Sequence, residues 1–438
     1  MKARRFPVPL LCLLLLCGLA AGEGGVPDLW RPWLLPGAAL LSLAACRGLP
    51  RQVWAGGALL LGLIALYAAN ATHHWTSGTG LLPVAHVPGL PGSVWAEGSW
   101  RTLGLAGAMF AGFALAFCLP EGQVRGLQAA AALGAAAMAF AVVAQRLGPH
   151  PARLHDHTGI FVNENHFAVF ATLVLPVVLA LAARARFRAV GAGRPSSPAG
   201  LHLLAAALLA GAVVMCRSRA GAAVLALEIA VGVGLCGLLA RQYPFLGAPG
   251  GTWGKGVGIA AIGVAVAFAA AAFAREWRQV ETITREWTFR SGILRDALAM
   301  WRERWVWGTG PGTFSAAYPY YQSPAFADQT ILHAHSEPVQ FLSEFGVAGG
   351  AWIGMAVLLG LSARTGRRPR AEWIPPFAEL ERRAFALGLA ACALHGLIDF
   401  PLRIPLLALL AAAWAGVWAG NRPLRAERPA EEPGAPVG

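Results

Sequence analysis

The stretch NHFAVFATLVLPVVLALAA, residues 165–183, runs directly into RARFRAVGAGR, residues 184–194. The first is apolar enough to cross a bilayer core as a helix, which takes about 20 residues. The second places Arg184, Arg186, Arg188 and Arg194 where that helix would end, as a cytoplasmic connection does under the positive-inside rule. This alternation recurs along the chain. Of its 438 residues 56% are apolar and 13% charged, with a mean hydropathy of +0.54. A soluble domain carries about 25% charged residues, so the composition argues against a soluble enzyme, a disordered chain or a nucleic-acid-binding protein. It predicts an all-α, polytopic membrane protein.

Apolar blocks bounded by charges or Gly/Pro clusters predict about twelve transmembrane helices. They lie near 7–22, 32–46, 52–70, 102–119, 126–145, 165–183, 200–216, 220–240, 256–274, 345–363, 384–399 and 404–420. The first block follows Lys2, Arg4 and Arg5 and also fits a cleaved signal peptide, which would leave every later orientation unchanged. With the N-terminus inside, the cytoplasmic connections collect Arg47, Arg51, Arg184–Arg194, Arg364–Arg370, Arg382 and Arg383, and the tail arginines. The outer connection 71–100 has no Lys or Arg. The chain divides into N-terminal helices (1–150), a second transmembrane region (151–420) and a Pro/Glu/Arg-rich tail (421–438) expected to be disordered.

The net charge of +13 comes almost wholly from arginine, since Lys2 and Lys255 are the only lysines. Seven cysteines lie in or beside apolar blocks without a CxxC pair, which suits apolar filler better than disulfides or structural zinc. Two outer segments break the charge rule: the turn Arg217-Ser218-Arg219-Ala220-Gly221 and the long connection 275–344. Nine of the eleven histidines fall on this predicted outer side. Charge held where translocation disfavours it usually has a use.

Within the long connection, Leu294, Leu298, Trp301 and Trp305 follow one helical face, with Arg295, Arg302 and Glu303 off it. This predicts an amphipathic helix, either lying in the membrane interface or packed on the membrane domain. Gly308-Thr309-Gly310-Pro311-Gly312-Thr313-Phe314 lacks the preceding strand and the Gly-Lys-Ser/Thr of a phosphate loop, and reads as a turn into Tyr318, Tyr320 and Tyr321. Those tyrosines suit either sugar stacking or packing within the loop. His155, His157, His166, His333 and His335 could form a metal cluster, but no regular ligand spacing supports one, so the expectation is no metal and no cofactor.

The segment His335-Ser336, nine residues, Gly346, two residues, Gly349 resembles the outer-face motif of the O-antigen ligase family of bacterial envelope proteins. Arg290-Ser291-Gly292-Ile293-Leu294-Arg295-Asp296-Ala297, the Gly308–Phe314 turn, Gly159–His166, Ser218-Arg219-Ala220-Gly221 and His395–Pro405 resemble further family segments, in family order. Ala223 departs from an Arg-x-x-x-Leu pattern found in many ligases, which leaves the subgroup open.

The resemblance implies an inner-membrane enzyme with its site on the periplasmic face. It would move a glycan from an undecaprenyl-diphosphate carrier to lipid A–core, to another glycan as a polymerase, or to a protein side chain. It implies that His335 is the base, that Arg219 and Arg290 hold the diphosphate, and that Arg217, Asn163, Asn165 and Glu337 contact substrate. The chemistry is intelligible: a neutral imidazole accepts the acceptor's proton, and guanidinium forks stabilise the leaving diphosphate. Ser336 would cap a helix that admits Pro338 and ends at Gly346, while His333 is expected to point away. A transporter or flippase is the rival from another class, but it should place charge at mid-membrane and show halved repeats, and the arginines here cluster at helix ends. A structural envelope protein is the third reading.

Overall fold

The structure is a computed structural model that describes residues 8–22, 34–46, 48–76, 80–147, 158–194, 196–242, 280–362 and 376–420. Its helices are α1 (Val8–Gly22), α2 (Leu34–Leu43), α3 (Arg51–Ala69), α4 (Ala96–Cys118), α5 (Glu121–Leu147) and α6 (Glu164–Gly191). They continue as α7 (Ala199–Met215), α8 (Arg219–Gln242), α9 (Val280–Glu303), α10 (Glu337–Ser362), α11 (Pro376–Gly396) and α12 (Pro405–Ala419). Every predicted apolar block overlaps one of these except 256–274, which lies outside the described residues, as does the tail 421–438. Among the described residues, five helices are long and apolar enough to cross a membrane: α3, α4, α5, α6 and α10. Helices α1, α7 and α12 are apolar but shorter.

The all-α expectation needs one correction. The connection 71–100 holds a small antiparallel hairpin, β1 (His73–Thr76) and β2 (Gly80–Pro83), with His73 opposite Pro83 and Thr76 opposite Gly80. Alternation over four residues is too short a pattern to stand out in sequence.

Helix α6 is the centre of the bundle. Its most apolar window is 89% buried, against 22–39% for the other four spans. That is why it is apolar on every side, whereas its neighbours keep a face for lipid. It packs on α11, α7, α5 and α8, and α4 packs on α12. Small residues permit the close approaches: a side chain at Gly388 would meet the Leu173 carbonyl oxygen, and one at Gly416 that of Phe113.

The long connection, joined by Val94 of the connection 71–100, builds a second core that includes Ile293, Ala297, Met300, Phe314, Tyr318, Ile331 and Ala334. The amphipathic helix α9 forms as expected, but its buried face is Ile293, Ala297 and Met300. Leu294 and Leu298 are only half-buried, and Trp305 lies beyond the helix end, exposed. The face is offset because α9 covers the small core of its own loop. Asp296, also buried, accepts hydrogen bonds from the Tyr318 hydroxyl (3.1 Å), Ser323 N (2.9 Å) and Ser323 Oγ (2.6 Å). It therefore pins the following loop to α9.

Helix α10 is broken at Gly346, whose φ of 63° and ψ of −173° leave the helical region. A glycine adopts this backbone without Cβ strain. The turn 305–310 fills the gap. Val347 N and Ala348 N donate to Trp305 O and Val306 O, while Ser343 O and Glu344 O accept from Thr309 N and Gly310 N. Gly346 thus ends one short helix, as expected, but the chain resumes as a second helix beyond it. The glycine turn 308–312, with positive φ at Gly308, Gly310 and Gly312, is the piece that docks into this break.

Candidate functional site

Four chain segments meet at the loop end of the bundle: the start of α6, the approach to α10, the turn after α11, and the middle of α9. The approach to α10 is shaped by His335, which takes the left-handed backbone at φ 51°. For a non-glycine residue this conformation is uncommon and tends to occur at functional positions. Ser336 follows at the cap position, its carbonyl accepting from Gln340 N at 2.9 Å.

Phe400, buried after α11, is the hub. His333 stacks on it with ring centroids 4.1 Å apart. His335 and His166 meet it edge-on at 5.2 and 5.1 Å. His333 therefore does not point away. Both rings arrive on Phe400, with the left-handed turn at His335 between them and α10. Burial, followed by the charge of Arg403, pushes the His333 imidazole down to about 3, so it is neutral at ordinary pH.

Asp399 stands beside His335. Its Oδ1 lies 3.7 Å from His335 Nδ1, longer than a hydrogen bond, and its side chain is 3% exposed. Burial would raise this carboxyl, but His335, His166 and Arg290 outweigh it and hold it below the usual carboxylate range. Arg290 reaches the same turn, Nη1 donating to Ile398 O at 2.6 Å. A cluster of buried polar atoms here has no partner among the described residues: Asp399 Oδ2, His335 Nδ1, His166 Nε2 and both ring nitrogens of His395. Such atoms are costly to bury unmet, and a substrate group or water is the usual remedy.

The second half of the site is an ion-pair cluster around Arg403. Its Nη1 donates to Glu344 Oε2 at 2.8 Å, and its Nε lies 3.4 Å from Glu337 Oε2. Glu337 Oε1 accepts from Leu402 N at 2.8 Å. Glu344 Oε1 accepts from Gln340 Nε2 at 3.1 Å and from Phe314 N at 3.3 Å. Burial would lower the Arg403 guanidinium, but Glu344 and Glu337 raise it, so it stays charged. This cluster locks the 399–403 turn onto α10.

The predicted residues fall into two groups. His335, Arg290 and Glu337 converge on the 398–403 turn. Asn163, Asn165, Arg217 and Arg219 stand around the turn between α7 and α8. Asn163 Oδ1 caps α6 by accepting from Asn165 N at 2.8 Å. Asn165 Oδ1 accepts from Ser218 Oγ at 2.7 Å, which holds that turn against α6. Arg217 is exposed with φ 67°. Arg219 pairs with Glu286 at 3.1 Å. Glu286 is one helical turn before Arg290 on α9, so the pair lies beside the Arg290 end of the cluster.

Asp399, Arg403, Phe400 and Glu344 were not singled out as site residues from sequence, and His166 was weighed only as a metal ligand. The His395–Pro405 resemblance already contained Asp399, Phe400 and Arg403, and was the signal for them. His155 and His157 lie outside the described residues, and among the described residues no group of three or more metal-ligating side chains is arranged to hold an ion.

Among known families, the model described as O-antigen ligase matches residues 204–354. That stretch is similar to the O-antigen ligase family. It contains Arg217, Arg219, Arg290, His335 and Glu337, and it stops short of Asp399 and Arg403. No curated protein and no solved structure matches the chain.

Proposed function

We propose that this chain, carrying a domain of the O-antigen ligase family, moves a glycan from undecaprenyl diphosphate to an acceptor at the periplasmic face of the inner membrane. The observation that carries the reading is the meeting of His335, Asp399 and Arg290 at one turn of the loop end. With its Nδ1–H directed at Asp399, His335 leaves Nε2 to accept the acceptor hydroxyl's proton. The deprotonating oxygen attacks the anomeric carbon, and the carbon–oxygen bond to the diphosphate breaks. The electron pair leaves with undecaprenyl diphosphate. Arg290, with Arg219 and Arg217 beyond it, stabilises the charge developing there.

Asn163 and Asn165 place the arginine turn, and Glu337 holds Arg403 beside the base. No step needs a metal or cofactor. Lipid A–core, another glycan and a protein side chain all present a nucleophile that this base can serve.

The purified chain in lipid, given an undecaprenyl-diphosphate-linked glycan, should release undecaprenyl diphosphate in step with glycosylated acceptor, and EDTA should leave the rate unchanged. A deletion strain then separates the acceptors, because missing ligated ladders, shortened chains and unglycosylated protein are different phenotypes. Unchanged envelope glycans together with an intact donor in vitro would sink the reading.

A further inference from the structure

At the end of the bundle opposite the histidines, a cavity of about 380 Å³ opens between the start of α5, the end of α6 and the start of α7. Arg125, Arg184, Arg188, Arg194, Ser196 and His202 line it, and the rest of its wall is alanine, leucine and proline. No carboxylate is among the described lining residues. Glu121 and Glu381 stand behind the wall and fix the inner arginines: Arg184 bonds Glu381 at 2.6 Å and Glu121 at 3.1 Å, and Arg125 bonds Glu121 at 2.7 Å. Arg184 is only 11% exposed. Even so, the Nε–H groups of Arg125 and Arg184 are buried with no acceptor among the described residues. Helix α7 begins at the cavity, with Pro198 and His202 in its wall, so its first free backbone N–H groups add to the same positive field.

We propose that this cavity is a binding site for the phosphate of an anionic phospholipid. The charge asks for an anion, and forked guanidinium groups fit phosphate oxygens. The position selects a lipid. The cavity lies where the apolar span of α6 gives way to arginine, which is headgroup depth at the predicted cytoplasmic surface. Its apolar wall would be idle against a free ion but suits a glycerol backbone and the first acyl carbons. The positive-inside rule accounts for arginines on this side, but not for four of them around one cavity with donors left over.

The test is native mass spectrometry of the full chain, titrated with short-chain phosphatidylglycerol or cardiolipin, with phosphatidylcholine and inorganic phosphate as further arms. Wild type should retain the anionic lipids and not phosphatidylcholine. Arg188→Gln combined with Arg194→Gln removes two outer arginines while leaving the Arg184–Glu381–Glu121 pairs intact, and should weaken retention about tenfold. Arg186→Gln, an equal charge loss per residue in the same segment but outside the cavity wall, should change it less than about twofold. An Arg186→Gln loss as large as that of the double variant would mean diffuse surface charge and overturn the proposal. Equal retention of phosphatidylcholine would overturn it as well. Displacement of the lipid by an equal concentration of inorganic phosphate would assign the cavity to a free ion instead.

Discussion

The two polar ends of the helical bundle treat charge in opposite ways. At the arginine-rich end, Arg184 sits between Glu121 and Glu381, and each carboxylate has a guanidinium within 3.1 Å. At the loop end, three histidines surround Phe400, and Asp399 keeps one buried oxygen without a partner among the described residues. Both clusters tie together helices distant in sequence. The first fastens α5, α6 and α11 by ion pairs, while the Arg125 and Arg184 Nε–H groups face no acceptor among the described residues. The second leaves acceptors and donors open, a state a protein keeps only where something else completes it. The open groups include guanidinium donors at the first end and a carboxylate oxygen with imidazole nitrogens at the second, so the two ends suit different partners.

The sharpest way to break this contrast is at His335. His335→Ala should lose about 10²–10⁴-fold in transfer rate, the scale for removing a general base, with a melting temperature close to wild type. His335→Asn tolerates the left-handed backbone and should lose as much, so a lost fold cannot be mistaken for a lost base. A variant that keeps its rate would remove the site from this cluster.

The fastening end should show the reverse pattern. Arg184→Met takes the guanidinium from Glu381, while Glu121 keeps Arg125, and should cost about 3 kcal/mol in unfolding measurements, as breaking a buried pair does. Arg101→Met, at a pair with Glu97 that is 38% and 62% exposed, should cost under about 1 kcal/mol. Equal costs would mean that the Arg184 cluster is no more buried in effect than a surface pair.

Arg290→Lys keeps the charge but loses the fork that holds the Ile398 carbonyl. Turnover should fall about tenfold, the scale of one charge-assisted hydrogen bond, and Arg219→Lys, whose Glu286 partner is half exposed, should fall less. An effect of Arg219→Lys exceeding that of Arg290→Lys would shift the diphosphate toward the α7–α8 turn.

The smallest expected effect is on pH. His333 is held near 3 in the fold and returns to about 6.5 when unfolded, so the unfolded chain binds the extra proton between those values. Its contribution is complete above pH 6.5 and is lost as pH falls toward 3. Wild type should therefore lose a few degrees of melting temperature between pH 7 and 4, and His333→Phe should lose less. His333→Ala should reduce transfer far less than His335→Ala, because a ring kept neutral by burial is a poor proton acceptor. Identical pH slopes for wild type and His333→Phe would show that its burial is not felt.

Much of this was legible in residue order. The positions of the apolar blocks, the arginine side, the amphipathic α9 and the short helix from Ser336 to Gly346 each depend on neighbours within a turn or a span. The offset of the α9 face was not legible, because Ile293 and Leu294 are equally apolar and only the loop core of Phe314, Tyr318 and Ala334 chose between them. Nor was the pairing of His333 with His335 on one ring, since Phe400 arrives from another helix.

The sequence by itself determined that this is a membrane protein with arginine at one set of helix ends and histidine at the other, because transfer into lipid is a local sum over about 20 residues. It also carried the motif residues of the O-antigen ligase stretch. Only the tertiary structure decided that Asp399 stands beside His335, that Arg403 is held by Glu337 and Glu344, and that the glycine turn fills the break at Gly346. Those contacts join segments whose separation in the chain leaves no periodic trace.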